Sequence, residues 1–325
     1  MSVLQRNLIM TVSGPITSAE LGFCHSHEHL FIADGPSARI HPALRIDSYA
    51  ATLAELVHYQ RTGGRSIVDA QPLGCGRMAE ALCGVARESG VQIIAATGFH
   101  KLVFYPEDHW IHSLDEVKLA QLYQSEFESG MYSDGDTALP GKRSAAKPGI
   151  IKTASDTAGI TKPYRKLFEA AAMTAKATGA PILSHTEMGK AALQQIRFFQ
   201  DYGLAADALI ICHVDRVLDD LDYPLAVAET GVYLELDTIG RFKYHSDAAE
   251  VALILKMVER GHEDRILLGL DVTRERLKSY GGAIGLDYIR TTFIPLLQKA
   301  GLTDEVIAKF MIHNPARALR YQKMN

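Results

Sequence analysis

The run His25-Ser26-His27-Glu28-His29 is the densest patch of ligand chemistry in the chain. In extended backbone successive side chains point to opposite faces, so His27 and His29 share one face and Glu28 takes the other. Two imidazoles two residues apart on one face can chelate a single cation. His25 falls on that face too, deeper in the strand, where it reads as a hydrogen-bonded core histidine. Further along, His185 closes the run Pro181-Ile182-Leu183-Ser184, His213 closes Ile210-Ile211-Cys212, and Asp271 follows Ile266-Leu267-Leu268-Gly269-Leu270. Singly, each imidazole is more often a satisfied core group than a ligand, and Asp271 could cap a loop. Together, four strand-terminal histidines and an aspartate are more polarity than an interior takes up without shared partners, and a metal is such a partner.

Lys152, after Gly149-Ile150-Ile151, is the odd member of the set. An ammonium beside cations would be repelled. It reads either as a lysine paired with a carboxylate or as one that has lost its charge. The second case covers a neutral base and a carbamate formed with CO₂, whose two oxygens can bridge two metals.

Gathering these residues requires a scaffold that brings strand ends to one rim. Eight β-rich apolar runs recur: 21–29, 66–70, 92–97, 149–152, 181–185, 208–213, 232–237 and 265–271. Segments with Ala, Leu, Glu and Lys at helical spacing lie between them, at 49–60, 78–88, 114–128, 164–178, 191–201, 248–260 and 288–300. Most of the strands are short and apolar on both faces, as parallel strands covered by helices should be. This predicts an α/β protein with one domain spanning residues 1–325, a (β/α)8 TIM barrel, whose functional groups collect at the C-terminal ends of its strands. A short N-terminal β-hairpin extension over 1–17 is expected at the entrance, and 132–148 reads as one long loop.

Bulk composition narrows the function classes. Lys and Arg number 34 against 38 Asp and Glu, a net charge of −4 that argues against nucleic-acid binding. At 47% apolar residues the chain can bury a full core, yet no stretch approaches the roughly 18 uninterrupted apolar residues of a membrane span. Arg6, Asn7 and Gly14 interrupt the start, so no signal peptide is visible and a cytoplasmic location is expected. The cysteines, at 24, 75, 83 and 212, form no C-x-x-C pair and read as reduced, mostly buried thiols.

Five motifs in order, GFCHSHEH, GIIKTAS, ILSHTE, IICHVDR and LLGLDVTR, resemble the phosphotriesterase-related branch of the amidohydrolase superfamily. The resemblance covers nearly the whole chain, including ELDTIG and the closing NPARAL. It implies a binuclear centre of two divalent metal ions, zinc first, with manganese or cobalt as alternatives. His27, His29 and Asp271 would hold one ion and His185 and His213 the other, with carboxylated Lys152 and a hydroxide as bridges. Asp271 would act as the catalytic proton acceptor while the hydroxide attacks, then pass the proton to the leaving group. The resemblance also implies a homodimer.

Specificity then falls to the loops. Those after the seventh and eighth strands carry Arg241, Lys243, Tyr244 and His245, and Arg274, Arg276, Lys278 and Tyr280. A basic mouth on an acidic protein suits an anionic substrate, with Lys243, Tyr244, Arg274 and Arg276 as the substrate-binding candidates; ordinary solvated charge, partly neutralised by Asp247 and Glu275, is the plain alternative. Family members with comparable loops hydrolyse phosphorylated sugar lactones, so such an aldonolactone is the leading expectation. Phosphotriesters or acyl-homoserine lactones are the second, and a non-catalytic sugar- or partner-binding barrel with structural metals is the third. The loop from Phe99 to Tyr105, with His100 and Lys101, is expected to wall the pocket.

Overall fold

The computed structural model describes residues 8–322. Eight strands follow one another in parallel register: β3 (Cys24–Glu28), β4 (Ser66–Asp69), β5 (Gln92–Gly98), β6 (Ile150–Ser155), β7 (Ile182–Thr186), β8 (Leu209–Cys212), β9 (Tyr233–Leu236) and β10 (Ile266–Leu268). The sheet curls until β10 meets β3. A side chain supplies much of that seam: the carboxylate of Glu28 accepts the amides of Leu270 and Val272, and the Asp271 amide donates to the His27 carbonyl at 3.1 Å. Gly269 permits the close approach, since a Cβ there would sit 2.9 Å from the His27 carbonyl oxygen.

Helices follow the strands at Tyr49–Arg61, Ala79–Ser89, Glu116–Ser129, Lys162–Thr178, Ala192–Asp201, Asp222–Glu229, Asp247–Glu259 and Ile294–Lys299. Several begin at a side-chain cap: Ser48, Asp115 and Ser246 each accept the backbone amide three residues on. Alternation along the strands divides the apolar residues between two cores. Cys24, Val68, Ile94, Ile150, Leu183, Ile210 and Leu267 fill the barrel, while Ile67, Ile93, Ile151, Ile182, Ile211 and Leu234 face the helices.

The barrel and the long loop at 132–148 are as the sequence predicts. The hairpin exists, β1 (Leu8–Thr11) paired with β2 (Gly14–Thr17), but at the other end of the barrel from the one expected. The Val12 amide bonds the Ile93 carbonyl at the start of β5, and Ile9 packs with Ala318, Leu319 and the interior residues, so the hairpin seals the floor. Residues 1–7 of that expected extension lie outside the described residues. The strand expected over 21–29 starts only at Cys24, because Ser18–Leu21 forms a helical turn capped by Thr17 and Glu20. The helix Asp222–Glu229 had no counterpart in the sequence reading.

Candidate metal centre

His27 and His29 reach the mouth of the barrel through a β-bulge. His25 pairs with Ile67 and Glu28 with Asp69, so Ser26 and His27 of β3 stand against the single Val68 of β4. The extra residue breaks the alternation that would have put His25 on the site face. His25 turns instead to the helix layer, its ring 4.9 Å from that of Tyr59 and its Nδ1 2.8 Å from Glu28. Its role as a hydrogen-bonded core histidine stands; its expected face does not.

The remaining side chains arrive on different elements. Lys152 lies inside β6, which runs on to Ser155, rather than at a strand end. Gly98 makes room for it: at φ 92°, a Cβ there would collide with the Lys152 carbonyl oxygen. His213 and Asp271 both take the left-handed region, at φ 67° and 46°, which is costly for residues with a Cβ and turns each side chain inward just past its strand. Ligand atoms of His27, His29 and Asp271 lie within 4.8 Å of one another, with His29 Nε2 3.3 Å from Asp271 Oδ1. The His185 and His213 rings meet edge to face at 4.4 Å, and His213 and His27 at 5.0 Å. All six predicted ligands, Lys152 among them, are thus brought to one rim.

Beneath them is a layer of carboxylates. His27 Nδ1 lies 2.8 Å from Glu235 and 3.4 Å from Asp237, and His213 Nδ1 lies 2.6 Å from the other Asp237 oxygen. Each Nδ1 therefore carries the proton, and each Nε2 keeps its lone pair for the rim, the tautomer a metal ligand needs. His185 Nε2 is turned to Glu187 at 3.1 Å, which leaves Nδ1 as its inward nitrogen. Lys152 is fully buried, with His27 Nε2 3.2 Å from its Nζ and no carboxylate in ion-pair contact among the described residues. The pairing with a carboxylate considered from sequence is therefore absent.

The electrostatics suit neutral imidazoles at His185 and His213 beside an ionised acid. At His27 burial and Lys152 oppose a charge, but Glu235 and Asp237 raise the imidazole well above the ordinary histidine range, so a metal there would replace a proton. Burial lowers His185 to about 3 and, with the positive charge of Arg216, holds His213 well below the ordinary histidine range. Burial opposes ionisation of Asp271, yet Arg241, His29, His213 and Arg216 together hold it well below the carboxylate range. Its Oδ2 accepts from Arg216 at 2.7 Å and from Arg241. Donor types, tautomers and convergence all fit divalent cations bound by nitrogen and oxygen.

A cavity of about 170 Å³ sits over this rim, walled by His100, Lys101, Phe104, Glu187, Arg216, Arg241 and Tyr244 as well as the four ligand histidines and Asp271, with Lys152 outside its lining. The expected wall from Phe99 to Tyr105 is in place. Beside it lies a vestibule of about 470 Å³ that shares Leu44, Phe104, Arg241 and Thr273 and adds Lys243, Phe242, Glu275 and Arg276. Of the substrate-binding candidates, Tyr244 lines the inner cavity and Lys243 the vestibule. Arg276 borders the vestibule, but its guanidinium bonds the carbonyls of Leu270, Asp271 and Ile239 and so braces the loop. Arg274 lines neither space; it reaches the Arg45 carbonyl and Asp47. The sequence reading passed over Arg216, Glu235 and Asp237. An E-x-D pair on an otherwise apolar strand, Tyr233-Leu234-Glu235-Leu236-Asp237, and an arginine three residues after His213 were the available signals.

Comparison with known proteins bears on the same site. The Escherichia coli phosphotriesterase homology protein is 32% identical over 91% of this chain and 97% of its own. A crystal structure of that homology protein, complexed with phosphate in its active site, superposes with a TM-score of 0.83 at 31% identity, covering 92% of this chain and 98% of the other. A phospho-furanose lactonase of Mycoplasmopsis synoviae is 30% identical across 98% of this chain and 94% of its own. A lactonase from Listeria monocytogenes superposes with a TM-score of 0.89 at 29% identity, over 97% of this chain and all of that one. The model of the phosphotriesterase family matches residues 7–319. The chain belongs to the phosphotriesterase family.

Proposed function

We propose that the protein is a binuclear metal-dependent lactonase whose substrate is a phosphorylated sugar lactone. The observation that carries this reading is the juxtaposition of the ligand-bearing rim with a vestibule walled by Arg241 and Lys243. The relatives agree in kind, one being a phospho-furanose lactonase and another holding phosphate in its active site.

His27, His29 and Asp271 would hold one ion and His185 and His213 a second, with Lys152 between them as a carbamate. A buried lysine lacking a carboxylate partner is costly as an ammonium, and carbamate formation removes that charge while adding two oxygen ligands. Divalent ions there would acidify a bound water and polarise the lactone carbonyl. The chain's own groups do the rest. Asp271, kept ionised by Arg241 and Arg216, accepts the proton released as the ring carbonyl is attacked and returns it to the departing ring oxygen. Lys243, in the vestibule, holds the phosphate away from the reacting carbon, so that binding energy orients the ring.

The test is a panel of lactones with and without a terminal phosphate, assayed by acid release after metal stripping and zinc reloading. Phosphorylated furanose lactones should be preferred, and Lys243→Ala should reduce their kcat/KM by about tenfold while sparing neutral ones. Equal losses on both would refute the phosphate contact. The apolar part of the vestibule, Ile40, Leu44, Phe104 and Phe242, favours a second reading, an acyl-homoserine lactonase, which higher turnover of long-chain acyl lactones would establish.

A further inference from the structure

Behind the loop that carries Arg241, Lys243 and Tyr244 lies another gathering of ligand-type side chains, none shared with the rim. Asp215 follows β8, His245 ends the loop after β9, and Glu250 stands in the first turn of the helix Asp247–Glu259. Each offers an atom within 4.8 Å of the other two. Asp215 and Glu250 are fully buried, and Asp215 Oδ1 and both Glu250 oxygens accept no hydrogen bond. The second Asp215 oxygen takes the Thr238 amide at 2.7 Å.

The imidazole sharpens the mismatch. His245 Nδ1 lies 3.1 Å from the Ser246 carbonyl, a pure acceptor, so Nδ1 carries the proton and Nε2 presents a lone pair. That lone pair faces Glu250 Oε2 at 3.2 Å. Two acceptors at that distance need a proton or a cation between them. A proton on the imidazole would relieve this one contact, yet would leave Asp215 Oδ1 and Glu250 Oε1 uncovered. The neighbouring carboxylates supply no relief and are already engaged: Asp247 by the Gly240 amide and the Tyr288 hydroxyl, Asp237 by His213. A single cation at the centre of the three would give each residue a partner at once, and without one the buried carboxyl groups must keep their protons to avoid unpaired charge.

We propose that Asp215, His245 and Glu250 form a third cation site, for a first-row divalent ion such as zinc or manganese, which fastens the β9 loop to the loop after β8. One imidazole nitrogen with two carboxylates suits such ions better than calcium or magnesium, which prefer oxygen alone. Because Arg241, Lys243 and Tyr244 sit between β9 and His245, the ion acts on the rim only by positioning them.

The full chain, stripped and then reloaded with zinc, decides this by metal counting together with anomalous scattering at the zinc edge. Wild type should hold about three ions per chain and His245→Ala about two, with an anomalous peak among Asp215, His245 and Glu250. His27→Ala/His213→Ala should lose zinc from the rim while retaining the His245-dependent ion, which separates this proposal from the binuclear reading above. Hydrogen exchange over residues 238–246 should accelerate in His245→Ala. A wild-type crystal grown in zinc with no peak at the three residues overturns the proposal even if the variants fail to fold, and so does an equal zinc count in wild type and His245→Ala.

Discussion

Asp237 shows how one side chain can set two ligands. One oxygen takes His213 Nδ1 at 2.6 Å and the other lies 3.4 Å from His27 Nδ1. The first contact keeps the His213 Nε2 lone pair facing the rim, and the second places a negative charge beside the His27 N–H that Glu235 accepts, so the carboxylate acts on any bound metal without touching it. Asp237→Asn preserves the shape but replaces one acceptor oxygen with a donor, and one ring must rotate or change tautomer to avoid facing N–H against N–H. The expected outcome is a folded protein whose zinc affinity is lower by about 10- to 100-fold, measured by competition with a chromogenic chelator. Unchanged affinity would mean that the two imidazoles are oriented by packing alone. Asp271 is a different case. With Arg216 and Arg241 on the same carboxylate, which is held well below the ordinary carboxylate range, Asp271 starts ionised at neutral pH and is suited to receive a proton rather than to begin as an acid.

At the level of elements, the strongest constraint on the rim is where β5 and β6 pass each other. Gly98 pairs with Lys152 at positive φ, and any Cβ would meet the Lys152 carbonyl. Gly98→Ala therefore combines an unfavourable backbone conformation with a steric clash, and the strand that delivers Lys152 must shift. A loss of about 2 kcal/mol or more in denaturant unfolding is expected, with weakened metal retention; a neutral effect would show that β6 is free to move. The elements also explain which features were legible in the sequence. His27, His29, His185, His213 and Asp271 each stand at or just past the end of an apolar run, and a parallel barrel gathers those ends by topology alone, so linear position was enough. The direction of His25 was not readable, because a bulge adds one residue and carries no marker in the sequence. The helix Asp222–Glu229 escaped notice because Pro224 reads as a breaker, although the first turn, where it stands, tolerates proline. Glu235 and Asp237 look like ordinary polar residues until the closed barrel brings β3 and β8 side chains against them; their function arises from contacts over long sequence separation. The hairpin was legible as a hairpin, whereas its place on the floor depends on contacts with β5 and the C-terminal segment.

For the molecule as a whole, buried titratable groups at the mouth should give the metal-free protein an unusual pH profile. His185 is depressed to about 3, so from pH 6.5 downward the unfolded chain takes up a proton that the folded chain refuses, and stability falls with acidification until about pH 3. Asp215 works in the opposite sense. Burial and the nearby Asp237 push it up to about 8, so the unfolded chain releases its proton near pH 4 while the folded chain keeps it, and stability falls as pH rises from there to about 8. The two contributions oppose each other between about pH 4 and 6.5, and beyond that window each acts unopposed, at a slope of about 1.4 kcal/mol per pH unit per group. Depression of Asp271 adds to the loss at the acid end, and the raised Glu235 and Glu250 add to the loss at the alkaline end. Thermal unfolding in chelator should therefore show a maximum on the acid side of neutrality. Zinc supplies the positive charge that ionised carboxylates need and competes with protons for the imidazoles, so loading should raise the midpoint most at about pH 8 and move the maximum towards neutrality. A metal-free protein most stable at pH 8, or a zinc increment that does not grow between pH 5 and pH 8, would mean that these buried groups find other compensation in the fold.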